Sequence, residues 1–578
     1  MTVNQIMSAG YQSAETHLAL CEQKGTNVIR YKLAQAPRHL GDGEVALTFE
    51  RDVLKPASLC YRVNGQPLPE FGVVFLSYDR KTRTVRLKDA SGAFEGVKAE
   101  NVIAECSLRY LIERVRDFFH ETEGIHLPSP TVPASAPILS ENCSEEQVAA
   151  ILTALSAPLC FIQGGPGCGK TRMVLSSCVT SELCDERKIL LVGPTNFAVD
   201  VALTGILDAL GVDAQEAGVL RLGNPTKHLS DRYPEVVEDF DAAKRYKEIR
   251  NQLATDEELD DATVAALQCE LDALAPRLTA NRIRTVSIVA ATTDTFLARF
   301  TGAYALEFSP DHIYLDEAAY CPLIKTLPLL SMEASRLTLL GDVHQLPPVS
   351  QLNDDEVRQN LELVLWTLPS IFIGAFFTDS LFDLYLRNGI GNLPYTDIRY
   401  LTQSFRYGWQ LGNVLGEYVY NGHLSGISEA GTEIIVLDAP ARGIMRKRTS
   451  LPEVNAIGQY LASVQPENCA ILTPYCNQAS LLSEYLSPKW RNAVKTIHST
   501  QGQEWDTVIL SVVDNRNMFY TNSNNRDAHG LEVINTAVSR AKRRLVIVCD
   551  ESFWQVQEGQ LIQRLIAIAN APHQNRIA

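Results

Sequence analysis

Residues 164–171, Gly-Gly-Pro-Gly-Cys-Gly-Lys-Thr, fit the phosphate-loop pattern Gly-x-x-x-x-Gly-Lys-[Ser/Thr]. The apolar run Leu159-Cys160-Phe161-Ile162 precedes them and the helix-compatible Arg172-Met173-Val174-Leu175 follows, which supplies the strand, loop and helix that the motif requires. Phosphate oxygens are held by backbone N–H groups that approach closely, and residues without side chains permit that approach. Gly164, Gly165, Gly167 and Gly169 therefore line a cradle at a helix N-terminus, where the unpaired N–H groups add positive potential. Lys170 is placed to meet the outer phosphates and the Thr171 hydroxyl to ligate magnesium. The bland alternative is a glycine turn that binds nothing, and the intact spacing and flanks argue against it.

Two further segments carry charge at strand ends. His312-Ile313-Tyr314-Leu315 reads as a buried strand that runs into Asp316-Glu317-Ala318-Ala319, and ligands of parallel sheets bind at such ends. Asp316 is expected to hold magnesium through water, and Glu317 to polarise the water that attacks a terminal phosphate. Arg336 to Leu340 is a second such strand, followed by Gly341-Asp342-Val343-His344-Gln345-Leu346-Pro347-Pro348, in which the Gln345 amide can report on the γ-phosphate. Either segment alone is a strand with a polar end; with a phosphate loop upstream they form a nucleotide-hydrolysing site.

These residues need parallel sheets to position them. Strands Lys188–Val192 and Arg284–Ala291 alternate with helical stretches, and a charged helical segment over 230–276 reads as a hairpin inserted between them, with a second capping box at Thr255 and Glu258 and an apolar stripe of Val264, Leu267, Leu271 and Leu274. A solvated decoration explains that insertion at least as well as a nucleic-acid or partner contact. A second α/β unit is expected from about Tyr395, with strands at Ala470–Leu472, Ala493–Ile497, Thr507–Val513 and Leu545–Val548. It contains no phosphate loop, so it must supply charge across a cleft, and Arg406 and Arg540 lie in segments suited to that. A guanidinium fork spreads charge over phosphoryl oxygens; two ordinary surface arginines are the alternative.

Ahead of the sheets, a helix is expected around Ala14–Glu22, and short alternating runs between Gly43 and Val97 separated by turn clusters read as a small antiparallel barrel. Leu108, Leu111, Ile112, Val115, Phe118 and Phe119 recur at helical spacing, and the Pro- and Ser-rich stretch 127–136 is a linker. Ser144-Glu145-Glu146-Gln147 opens a helix as a capping box. Gln147 is either that cap or also a reader of an adenine edge. The expected fold class is α/β, divided as 1–42 (helical in part), 43–105 (barrel), 106–136 (stalk helix and linker), 137–394 (first parallel-sheet domain with the insertion at about 230–280) and 395–578 (second parallel-sheet domain with a C-terminal helix).

With 578 residues the chain exceeds a single core. No apolar run approaches the roughly 20 residues of a membrane helix, and the first 20 residues lack a signal-peptide pattern, so a cytoplasmic location is the default expectation. Thirteen cysteines without a Cys-x-x-Cys pair suggest reduced, mostly buried thiols, with Cys168 the one expected to matter if oxidised or alkylated. The net charge of -16 argues superficially against a nucleic-acid partner, yet a strand held in a narrow groove needs only local basicity, and acidic runs such as 256–261 can stay outside.

The order of these motifs resembles superfamily 1 helicases, in the branch of the up-frameshift helicase of messenger-RNA decay and the nidovirus helicases, whose known members translocate 5′ to 3′. The resemblance runs from about Gln147 to Asp550. It implies two RecA-like motor domains with a barrel on a helical stalk, ATP and magnesium as cofactors, Gln147 as the adenine-reading glutamine, and nucleotide contacts from Gly165, Pro166, Gly167, Cys168, Gly169, Lys170, Thr171 and Arg172. Residues 193–200 are similar to the motif that contacts the strand. In Leu401-Thr402-Gln403-Ser404-Phe405-Arg406 the resemblance implies that Phe405 stacks on the base and Arg406 touches the γ-phosphate. Residues 498–506, with Gly502 and Glu504 on the nucleotide, couple strand to nucleotide, and in 535–542 Arg540 is the arginine finger. His498 stands where relatives often have Asp, and Ala319 where a hydroxyl is common; no cysteine-histidine zinc module is expected at the N-terminus.

The function so implied is an ATP-driven translocase on single-stranded DNA or RNA. Pro194, Thr195, Asn196, Thr292 and Thr293 on one domain, and Thr473, Pro474, Tyr475, Ser499 and Thr500 on the other, would grip the sugar-phosphate backbone with little sequence preference. A protein partner could dock on the insertion or the N-terminal domain. An ATP-regulated clamp or scaffold, and the motor subunit of a recombination nuclease, are the competing readings.

Overall fold

The computed structural model describes residues 2–69, 72–79, 82–89, 91–211, 218–255, 261–377, 385, 396–440 and 446–570. Residues 8–121 form one compact unit, and residues 1–7 with everything from 122 onward form the other.

The smaller unit holds two antiparallel sheets. Strands β1 (Val28–Lys32), β2 (Arg38–Gly41), β3 (Glu44–Thr48), β4 (Cys60–Val63), β5 (Gln66–Pro67), β6 (Val73–Asp79), β7 (Thr84–Asp89) and β8 (Val102–Ser107) assemble in the orders β1-β8-β4-β5 and β2-β3-β7-β6. Alternation along β7 sends Val85 and Leu87 inward, where they join Tyr31, Leu47, Phe49, Phe94 and Ala104. The sheets begin earlier than Gly43, because β2 is exposed along its whole length and offers no apolar alternation to find. The N-terminal helix is also longer than expected, Val3–Lys24. It crosses the helix Arg109–Glu121 closely: a Cβ on Gly10 would sit 2.5 Å from the Phe119 ring. That second helix buries Ile112, Val115, Phe118 and Phe119 of the stripe read from its spacing, while Leu111 is half-buried and Leu108 precedes the helix.

In the larger unit, β9 (Leu159–Gly164), β10 (Ile189–Gly193), β11 (Val219–Arg221), β12 (Ile288–Thr292), β13 (His312–Leu315), β14 (Arg336–Gly341) and β15 (Ile398–Leu401) form one parallel sheet ordered β11-β12-β10-β13-β14-β9-β15. Its inner strands are buried on both faces, which is why they read as unbroken apolar runs. The order sets β13, β14 and β9 side by side, so the acidic pair, the Gln345 segment and the phosphate loop leave the sheet at one edge. β15 corrects the expected division at 394/395. It pairs with β9 and extends the first sheet, so residues 398–401 do not open the second. Tyr395 itself lies outside the described residues.

A short pair, β16 (Gln403–Ser404) and β17 (Ser425–Gly426), leads to the second parallel sheet. That sheet comprises β18 (Glu433–Asp438), β19 (Cys469–Thr473), β20 (Val494–Thr496), β21 (Trp505–Ser511) and β22 (Ala541–Cys549) in the order β18-β22-β21-β19-β20. The inserted hairpin is formed by helices Phe240–Thr255 and Asp261–Leu274, closed by Ala242, Ile249, Leu267, Leu271 and Leu274, whereas Val264 of the expected stripe is exposed. Glu258 of the expected second capping box, and most of the acidic run 256–261, lie outside the described residues.

Behind the second sheet, the Glu453 carboxyl is 2 % exposed, accepts the Ser511 hydroxyl at 2.6 Å and the Val513 N–H at 2.8 Å, and holds Val513 at φ 71, a costly conformation for a β-branched residue. Burial pushes its pKa up to about 8. The folded chain therefore keeps a proton that the unfolded one releases near its ordinary value of 4.5, so stability from this group falls as pH rises from about 4.5 to about 8 and then levels off. Glu453→Gln, which stays neutral, is expected to raise the urea midpoint at pH 8.5 relative to the parent and to change it little at pH 4.5; parallel shifts at both would contradict this.

Candidate active site

The phosphate loop is built by backbone conformations that few side chains tolerate. Gly167 and Gly169 lie at φ 81 and 84, and a Cβ on Gly167 would collide with Arg406 Cβ and Ser404 Oγ. The helix then starts with a π-turn, Lys170–Leu175, in which the N–H groups of Met173 and Val174 both donate to Gly169 O. Such turns concentrate at functional sites. The Lys170 ammonium donates to Gly164 O at 2.5 Å and Gly165 O at 3.2 Å, so it is folded over the loop that it is expected to serve. Gln147 forms the predicted capping box and also donates from Nε2 to Cys168 O at 3.0 Å, which ties the helix cap to the loop. Cys168 itself is fully buried, and burial pushes its thiol up to about 12. A thiol that stays protonated reacts poorly, which argues against the modification expected from its position in the motif. Arg172 stands in the π-turn, exposed.

At the neighbouring strand end, Thr171 Oγ1 donates to Asp316 Oδ2 at 3.1 Å. Burial, and then the nearby Glu317 charge, raise the Asp316 carboxyl to about 7, against the pull of Lys170. Two carboxylates in one buried place want a cation, and the hydroxyl beside them completes an oxygen donor set suited to magnesium. Glu317 takes a left-handed backbone, φ 55, and its Oε2 accepts Gln501 Nε2 from the second sheet at 3.1 Å.

Across the seam between the two sheets the polar groups interlock. The buried Asp342 carboxylate accepts from Gln163 Nε2 at 2.9 Å, Gln345 Nε2 at 2.9 Å and the Tyr420 hydroxyl at 2.7 Å. Gln345 Oε1 in turn accepts Arg540 Nη2 at 2.8 Å. Arg540 is 2 % exposed, and burial followed by the Arg406 charge lowers its pKa to about 10, still well above neutrality. Arg406 leaves the strand that flanks the phosphate loop, where Ser404 Oγ donates to Pro166 O at 2.7 Å and Phe405 N–H to Gly167 O at 3.0 Å. Its guanidinium donates to Ser539 O at 3.0 Å and pairs with Glu504 at 2.8 Å, and Lys542 pairs with the same carboxylate at 2.5 Å. Those cations hold the Glu504 carboxyl below its usual range although burial pulls it up. Phe405 is half exposed and Gly502 turns at φ 77 against the Phe197 ring. The site is thus drawn from both sheets, with Arg406 at their junction and Arg540 on the second.

A nucleoside triphosphate with magnesium fits this arrangement. The glycine cradle admits phosphate oxygens, Thr171 and Asp316 supply cation ligands, and Arg406 Nε, Arg540 Nε and Gln501 Oε1 are buried without a hydrogen-bond partner among the described residues.

Comparison with known proteins agrees. A family model described as "AAA domain" matches residues 142–265 and 235–351, and another of the same description matches 445–552, together more than half of the chain. Over 477 residues the chain is 26% identical to the putative regulator of nonsense transcripts 1 of Takifugu rubripes, covering 74% of this chain and 39% of that protein. It is 24% identical over 482 residues to DNA-binding protein SMUBP-2 of Mus musculus, covering 74% and 44%. The chain belongs to the superfamily 1 helicases, in their up-frameshift-like branch. An uncharacterized ATP-dependent helicase, MJ0104, of Methanocaldococcus jannaschii is 20% identical over 561 residues, 84% of this chain and 80% of that one. The chain spans less than half the length of the SMUBP-2 relatives it matches.

In this superfamily 1 helicase the residues expected to grip a strand all stand at or just beyond C-terminal strand ends, but their side chains differ from expectation. Thr195 and Thr292 cap helices, accepting Ala198 N–H and Thr295 N–H at 3.1 Å each. Asn196 is exposed, with Oδ1 accepting Arg221 Nη2 at 2.9 Å; Pro194 is half-buried. Thr293, Thr473, Pro474 and Thr500 are buried, the Thr500 hydroxyl donating to Ile497 O at 2.7 Å. Tyr475 donates to Asp514 at 2.7 Å, and Ser499 is exposed while donating to Thr496 O. Asn196 and Ser499 are therefore the exposed polar side chains of this set. His498 packs edge-on to Tyr520, and burial with the neighbouring His529 lowers its pKa. Tyr420 carries no motif and had no signal in the sequence; Asn535 lay inside a quoted motif without a role.

Proposed function

We propose that the chain is an ATP-driven translocase on single-stranded nucleic acid, moving 5′ to 3′ and coupling hydrolysis to duplex unwinding or remodelling. The observation that carries this reading is the 2.8 Å hydrogen bond from Arg540 of the second sheet to Gln345 of the first, in a site whose phosphate loop belongs to the first sheet alone. Bound ATP with magnesium would supply the transferable phosphoryl group and a cation that offsets its negative charge. Lys170 exchanges its loop carbonyls for the outer phosphates. Thr171 and Asp316 hold the cation, and Glu317, released from Gln501, takes a proton from the attacking water. Gln345, Arg406 and Arg540 meet the charge that develops on the transferred group. After hydrolysis the arginines lose that partner, and alternate opening and closure of the seam at the strand-end loops moves the track. Phe405, half exposed beside Gly167, offers a face for the base, and the Gln147 amide stands at the same loop.

Retention of Lys170, Glu317 and Arg540 together weighs against a clamp, which needs no water-activating carboxylate. Relatives named an ATP-dependent helicase and a DNA-binding protein support the motor reading. Unwinding of duplexes with a 5′ tail or a 3′ tail, in DNA and in RNA, tests it. Loading from the 5′ tail is expected; loading from a 3′ tail alone would overturn the polarity.

A further inference from the structure

The seam contains a hydrogen-bonded crossing that none of the motifs accounts for. Tyr420 follows the helix Trp409–Tyr418, which packs on the C-terminal helix Leu561–Ala569. Its ring is buried, lies edge-on to His344 with centroids 4.7 Å apart, and its hydroxyl does two things at once. It donates to Asp342 Oδ2 at 2.7 Å and accepts Asn535 Nδ2 at 3.1 Å. Asn535, on the helix Gly530–Val538 that leads to Arg540, donates again from Nδ2 to His344 O at 2.7 Å.

Asp342 Oδ2 is also the acceptor that orients the Gln345 amide. Flipping that amide would turn Oε1 away from Arg540 and present N–H to it, so the Asp342 acceptor fixes which face Gln345 shows the guanidinium. A closed circuit results, Arg540 to Gln345 to Asp342 to Tyr420 to Asn535 and back along the helix to Arg540. Gln345 and Asp342 follow β14 of the first sheet, Asn535 and Arg540 precede β22 of the second, and every step but the helical return is a directional hydrogen bond between buried groups.

We propose that Tyr420 and Asn535 form a positioning latch that sets Gln345 and Arg540 against each other and carries the closure of the nucleotide seam to the second sheet. This deepens the helicase reading and rests on it. The phenol is suited to the task because burial and the Asp342 charge hold it protonated, so it remains a donor. The latch touches neither phosphates nor the strand. Its loss therefore affects how hydrolysis responds to the strand more than how nucleotide binds.

Tyr420→Phe deletes one hydroxyl and keeps the ring. With wild type alongside, phosphate release is measured across ATP concentrations with and without oligothymidylate or oligouridylate. The variant is expected to lose about tenfold of the strand-stimulated over unstimulated ratio, with KM for ATP within about twofold of wild type. Adding Asn535→Ala should then cost little more, since both act through one circuit. An unchanged ratio overturns the latch. So does an equal fall of stimulated and unstimulated rates with a lower thermal midpoint, which marks a packing role, or a raised KM at unchanged kcat. If wild type itself shows no strand stimulation, the helicase reading fails first and the latch falls with it.

Discussion

Arg540→Ala should lower strand-stimulated phosphate release by about a thousandfold at saturating ATP, the scale on which an arginine supplied to a transferring phosphoryl group acts. The structure gives the reason. Arg540 is buried, donates to Gln345 Oε1, and keeps Nε without a partner among the described residues. A buried guanidinium with an open donor is stabilised by an anion arriving there. Its methyl replacement leaves Gln345 Oε1 unpaired, so a stability loss of about 1–3 kcal/mol accompanies the kinetic effect, readable as a lower thermal midpoint. Arg540→Lys keeps the charge and loses the fork, and should recover stability more than rate. Equal rates for wild type and Arg540→Ala would remove the finger assignment.

Lys170→Ala is expected to cut hydrolysis at least about a hundredfold and to weaken ATP binding, because the ammonium meets the outer phosphates in ground and transition states alike. Here the fold is spared. Among the described residues Lys170 donates only to carbonyls of its own loop, so its removal should leave stability within about 1 kcal/mol of wild type. Fluorescent ATP-analogue titration and a thermal melt separate the two effects. A variant that binds and hydrolyses ATP normally would show that the loop is the bland glycine turn.

The sequence made the chemistry legible where one residue type at one spacing has one physical use. The glycines of 164–169 announce a backbone that only they adopt, and Asp316-Glu317 after Ile313, Tyr314 and Leu315 announces a strand end. What it left hidden follows from weak local signal. β2, exposed along its length, has no alternation, so the barrel seemed to start at Gly43. β15 is a short strand whose place is decided by its neighbour β9, and no local pattern says which of two parallel sheets a strand joins. Threonines at strand ends read as strand contacts, yet the same hydroxyls satisfy helix caps and nearby carbonyls. A hydroxyl's partner is a matter of rotamer and neighbours, which spacing does not encode. Tyr420 is the extreme case, since its partners at Asp342 and Asn535 are far away along the chain.

Under the proposed function, the seam also explains how an acidic chain can meet the phosphates of a nucleotide. Arg406, Arg540 and Lys542 are gathered at one place, partly neutralised by Glu504, while surplus carboxylates lie elsewhere. Local charge, not net charge, sets what binds there.

Phosphate release by the wild-type chain, measured with ATP and magnesium in the presence and absence of single-stranded nucleic acid, bears most directly on a seam that two sheets close around one nucleotide. Strong stimulation by DNA or RNA strands is the predicted result. A rate that is the same with and without strand would contradict it.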